Sequence, residues 1–144
     1  MFLRFLDQDL PEVFAMSNSH ILWPPGYEPA NFPVHVQNHI LLNVSSEVLW
    51  AWLVRAPLWL TWYQNSSNVR ILTGQSKDLS LNTRFRWKTF GLAIESTVLE
   101  FVPFTRIAWD AHAPGFEGYH AWLLLALMRG LMSGRKRLRK AFSL

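Results

Sequence analysis

Residues 83–110, TRFRWKTFGLAIESTVLEFVPFTRIAWD, decide the fold. In 83–90 the side chains separate by alternation. Thr83, Phe85, Trp87 and Thr89 fall on one side, Arg84, Arg86 and Lys88 on the other, the period-two pattern of a strand with one solvated face. Gly91 allows a turn, and 92–102 continues as a long strand. There Ile94, Ser96, Val98 and Glu100 share one side, and Ala93, Glu95, Thr97, Leu99 and Phe101 the other; both sides are mixed, so either could face inward. Pro103 marks the next turn and 105–111 a third strand. The stretch thus predicts three consecutive antiparallel strands.

Upstream, 34–43 alternates as a strand. Ser45-Ser46-Glu47 reads as a helix start, with the Ser45 hydroxyl free to take an orphan amide and Glu47 at the positive end of the dipole. Val48, Trp52 and Arg55 follow at helical spacing, and Pro57 ends the helix because the residue before a proline avoids helical geometry. A second short helical segment, 58–63, brings Trp59, Trp62 and Tyr63 together. Residues 64–68 read as polar loop and 68–74 as a short strand. Downstream, 112–118 reads as loop and 119–125 as the last strand. From Leu124 to Phe142 the alternation disappears, and a helix weakened by Gly130 and Gly134 is expected.

One domain is expected: an irregular, proline-broken lead-in over 1–33 precedes a single domain over 34–144 that ends in a basic tail, 129–144. Trp23, Tyr27 and Phe32 should pin the lead-in to the body, and Met16 is an alternative start. Of 14 basic residues six lie at or after Arg129, which leaves eight against ten acidic ones over 1–128. The body is therefore mildly acidic, and a nucleic-acid footprint spread over a folded surface is not expected. Without cysteine there are neither disulfides nor thiolate metal sites. The longest apolar run, 121–128, is far short of the ~20 residues of a membrane span. Acidic Asp7, Asp9 and Glu12 interrupt any signal-peptide core, so the expectation is a cytoplasmic protein.

No glycine-rich phosphate loop, zincin motif or nucleophile elbow is present, and the histidines show no metal-ligand spacing. Neither cofactor nor metal is expected. Eight tryptophans and ten phenylalanines could be plain core or the wall of a cavity.

The segments SSEVLWAWLVRAPLWLTWYQNSSNVRIL (45–72), LNTRFRWKTFG (81–91), IESTVLEFVPFTRIAWDA (94–111) and YHAW (119–122), in that order, resemble the polyketide cyclase/dehydratase branch of the START-like (SRPBCC, Bet v 1-like) superfamily. The resemblance implies an α+β helix-grip fold: a curved antiparallel sheet, two short helices after the first strand, and a C-terminal helix that is here shortened. It also implies a cavity between sheet and helices for a small hydrophobic or aromatic ligand. The chain departs from the pattern after 119–125, where no second alternating segment precedes the basic tail. Either that strand is deleted or the end is a truncation or frame change; both would leave a sheet edge open to homodimerisation.

For the ligand, the expected contacts are Trp59, Trp62, Tyr63, Phe85, Trp87, Ile94, Ser96, Val98, Trp109 and Trp122. A cyclase-like enzyme would also need a base to remove a proton beside a carbonyl and a donor for the enolate oxygen. Glu95, Glu100 and Asp110 are candidate bases; His112, His120, Arg86, Tyr63 and Ser96 are candidate donors; His120 and Glu100 are the catalytic residues expected. A third reading gives the basic tail an anionic membrane or nucleic acid as partner.

Overall fold

The computed structural model describes residues 21–127 and 135–143, and for 37–41, 126–127 and 135–143 the backbone and its pairing only. Seven antiparallel strands form one sheet: β1 (His35–Leu42), β2 (Ser66–Ile71), β3 (Arg84–Thr89), β4 (Leu92–Val102), β5 (Arg106–Ala113), β6 (Phe116–Leu127) and β7 (Arg135–Ser143). Their order across the sheet is β1-β7-β6-β5-β4-β3-β2, so the first two strands form the two edges. Between them the chain runs through helix α1 (Ser46–Val54) and a 3-10 helix, Ala56–Thr61. This is the curved-sheet α+β arrangement of the helix-grip fold.

Local chemistry explains the elements. Ser45 caps α1 by accepting the Val48 amide at 3.2 Å, as its hydroxyl and position predict. The α-helix ends at Val54, and Pro57 lies in the first turn of the tighter 3-10 helix, where a missing amide hydrogen costs nothing. β3 is buried at every second residue, Phe85, Trp87 and Thr89, with its cations outward. At the β5–β6 turn, Pro114 and Gly115 (φ 72°) satisfy a tight reversal. That turn is shorter than the expected loop, because 112–113 and 116–118 belong to the strands. β2 likewise starts earlier than expected, with Ser66 and Ser67 paired and a bulge at Asn68 (φ 52°) before Arg70.

Two features correct the expectations. The first is a bulge in β4. Val98 pairs with Trp109, but Glu100 pairs with Ala108, so Leu99 is an extra residue. One inserted residue reverses the alternation beyond it. Glu100 therefore leaves the side of Ile94, Ser96 and Val98, and Phe101 takes its place, opposite Ile107. The second concerns the end of the chain. No helix spans 124–142 among the described residues: Leu124 to Leu127 extend β6, and the basic segment is β7, paired on one flank with β1 and on the other with β6. A strand thus follows β6, where the sequence left either its deletion or a truncated or frame-changed end as the alternatives. Its weak alternation (Leu138 and Phe142 among five cations) is overridden by hydrogen bonding, because without it β1 and one flank of β6 would lack partners.

One core lies between the sheet's inner face and the α1/3-10 hairpin. Leu49, Trp50, Leu53, Val54 and Trp59 meet Phe85, Trp87, Ile94, Val98, Ile107, Trp109 and Trp122 there. A smaller core covers the outer face, where Ile21 joins Ala108, Tyr119, Ala121 and Leu123, with Trp23 and Tyr27 against them. Tyr119 meets Trp23 at 5.7 Å and Tyr27 at 5.1 Å between ring centroids. Trp23 and Tyr27 thus anchor that segment to the sheet as expected, whereas Phe32 stacks on Tyr27 within the segment at 5.9 Å.

Candidate functional site

The inner face brings the aromatic residues of four elements into one run. Trp59 comes from the 3-10 helix, stopped over the sheet by its indole hydrogen bond to the Leu53 carbonyl (2.9 Å). It stacks on Trp109 of β5 at 5.0 Å and meets Phe85 and Trp87 of β3 edge-on. His120 of β6 follows at 4.9 Å from Trp109 and 5.5 Å from Trp122, with Trp62 6.0 Å beyond Trp122. Tyr63 stands 6.5 Å from Trp87. All ten residues expected to contact a ligand therefore collect on this side of the sheet, in or against one core. Between hairpin and sheet, however, these rings touch one another; the indoles interdigitate where a hollow was expected.

Polar groups on this face are few. Ser96 accepts the Trp87 indole hydrogen at 3.0 Å. The indole nitrogens of Trp62 and Trp109 and the Ser66 hydroxyl are buried and have no hydrogen-bond partner. Each such orphan costs about 1–3 kcal/mol. Burial raises the Tyr63 hydroxyl above its ordinary value, so it is a neutral donor here.

The expected catalytic residues do not meet. His120, opposite Trp109, faces inward. Glu100, moved by the bulge, lies on the outer face in an ion pair with Arg106, both side chains nearly buried. The other two candidate bases share that outer face. Glu95 is held by Arg84 and Arg86, which keep its carboxyl below the usual range. Asp110 accepts the Thr97 amide (2.6 Å) and lies 3.2 Å from the His112 ring. Of the expected donors, Tyr63, Ser96 and His120 lie at the inner face, Arg86 and His112 at the outer.

Sequence reasoning missed Phe101, which reaches the inner side through the bulge and packs edge-on against Trp50 at 5.2 Å, and it missed Ser66. The signal for the first was a carboxylate, Glu100, sitting in phase with an apolar row. Among the described residues no group of three or more histidines and carboxylates could hold a metal ion.

This architecture is that of the START-like (SRPBCC) fold. Among solved structures, a hypothetical protein from Helicobacter pylori is 28% identical, with a TM-score of 0.74 over 86% of this chain and 77% of that one. A START superfamily protein from Mycobacterium smegmatis is 10% identical, with a TM-score of 0.59 over 76% of this chain and 74% of that one. The di-domain ARO/CYC BexL of the BE-7585A biosynthetic pathway is 13% identical, with a TM-score of 0.56 over 76% of this chain and 35% of that one. No family model and no curated protein matches the chain.

Proposed function

We propose that the protein binds a small, planar hydrophobic or aromatic molecule bearing a hydrogen-bond acceptor, between the α1/3-10 hairpin and the inner face of the sheet. The observation that carries this reading is the pair of unpartnered donors, Trp62 Nε1 and Trp109 Nε1, at two points along an otherwise aromatic run. A carbonyl-bearing ring system inserted there gains flat contacts and satisfies a donor whose isolation now costs stability. The likeness of the fold to a START superfamily protein and to the di-domain ARO/CYC BexL agrees with such a ligand.

Entry requires the hairpin to lift. The hairpin is held mainly by its buried apolar side chains, and its polar ties to the rest of the chain are weak. Arg55 pairs with Asp78 (2.7 Å) at a largely exposed position, where solvent screens the attraction, and the Leu79 amide donates to the Val54 carbonyl (2.7 Å). A binding role suits the face better than a cyclase role, since the bases considered, Glu95, Glu100 and Asp110, all lie behind the sheet. Among the described residues no helix is long and apolar enough to cross a membrane, and a cytoplasmic location suits the lack of cysteine. A homodimer through a sheet edge would use β1, because the bulge in β2 spoils that edge as a template.

Tryptophan emission tests the proposal. A flavonoid-like probe with a ring carbonyl should quench it saturably, and Trp109→Phe or Trp62→Phe should weaken binding by about two- to tenfold. The same ring system without the carbonyl should bind both variants and the parent alike. Absence of saturable quenching by either probe, or an equal response of all three proteins to the carbonyl probe, would remove the case.

A further inference from the structure

The β3–β4 hairpin ends in a turn that is poorly suited to the residue at its tip. Phe90 (φ 48°) and Gly91 (φ 78°) both occupy the left-handed region, where hairpin turns of this kind favour asparagine and glycine. A bulky aromatic side chain is strained there. Nor is the strain relieved by packing, since Phe90 is 70% exposed and Leu92 beside it 43%.

Leading to that tip, the outer side of β3 carries Arg84, Arg86 and Lys88, all exposed. Arg70 of β2 is directly opposite Arg86. Like charges placed so destabilise a sheet. Glu95 is the acid within this group, and it engages Arg84 and Arg86. Four cations therefore face one carboxylate, with Lys88 nearest the tip. A strained exposed phenylalanine and an under-neutralised row of cations are separate costs that converge on one end of one hairpin, and one surface would offset both.

We infer that the β3–β4 hairpin docks the protein on an anionic lipid bilayer, Phe90 entering the boundary between headgroups and acyl chains while Lys88, Arg86 and Arg70 meet the phosphates. An aromatic ring at that depth recovers its apolar contact, and each cation near a negatively charged leaflet adds attraction that fades within a Debye length. This site is distinct from the aromatic inner face and from the basic strand β7.

The test is co-sedimentation of the full chain with vesicles of phosphatidylcholine alone and of phosphatidylcholine mixed with phosphatidylglycerol. Binding should favour the anionic vesicles and weaken as salt rises. Because β7 also carries cations, the deciding comparison is Phe90→Asn. Asparagine tolerates the left-handed turn, so this variant should melt at the same temperature as the parent or higher, yet bind anionic vesicles about tenfold less well. Lys88→Glu, an exposed strand position outside the strained turn, should reduce the preference for anionic over neutral vesicles severalfold. The inference is overturned if the parent binds neither vesicle, if Phe90→Asn binds as well as the parent, or if Lys88→Glu keeps the full anionic preference.

Discussion

A single residue, Leu99, separates what the pattern of 92–102 suggested from what the molecule does. Alternation put Glu100 in phase with Ile94, Ser96 and Val98; the bulge carries it through the sheet to Arg106. The buried pair makes a sharp prediction. Glu100→Ala leaves the Arg106 guanidinium buried without its partner, and denaturant unfolding should show a loss of about 3–5 kcal/mol. Were His120 and Glu100 a catalytic couple, the same change would instead act on turnover with little effect on stability. A second residue-scale prediction concerns alkali. Burial, the Asp110 and Glu117 charges and a hydrogen bond to Glu117 push the Tyr27 hydroxyl up to about 12 from its ordinary 10.0. The folded form holds that proton more tightly than the unfolded one, so the contribution is full below about pH 10 and is lost as pH rises toward 12. Tyr27→Phe should therefore lose less stability across that interval, measured by denaturant midpoints at successive pH values.

Among the elements, those with a strong local signal were legible. Phe85 and Trp87 against Arg84, Arg86 and Lys88 fixed β3 and its inward side, and Ser45 and Pro57 bounded α1 from chemistry that acts within a few residues. What was not legible depended on distant partners. Arg135 to Ser143 holds few apolar residues and little intrinsic reason to be extended; it is a strand because β1 and β6 each present an unpaired flank to it. The bulge in β4 likewise depends on how β5 pairs across it. The candidate site shared this division: alternation gave Phe85 and Trp87 one side, and helical spacing clustered Trp59, Trp62 and Tyr63, whereas the mixed strand 92–102 left the side of Ile94, Ser96 and Val98 open until its pairing was known. Whether they surround space or fill it is set by ring-to-ring geometry, which spacing does not encode.

For the molecule as a whole, β7 is the joint on which the sheet depends, since among the described residues β1 pairs with no other strand. A chain ending at residue 127 would expose the flanks of both β1 and β6, and we expect it to lose its cooperative thermal transition, followed by far-ultraviolet circular dichroism, and to aggregate. A helical tail lying outside the sheet would have been dispensable in the same experiment.

The pairing of His35 with Ser143 also sets the order in which the protein can be made. During synthesis β1 leaves the ribosome before β2 to β6, and must wait until all of these and then β7 have followed before its neighbour exists. Until then the nascent chain carries a strand without the neighbour it has in the finished sheet, a natural target for a chaperone, and its docking depends on a highly charged ribbon that is made after β1 to β6.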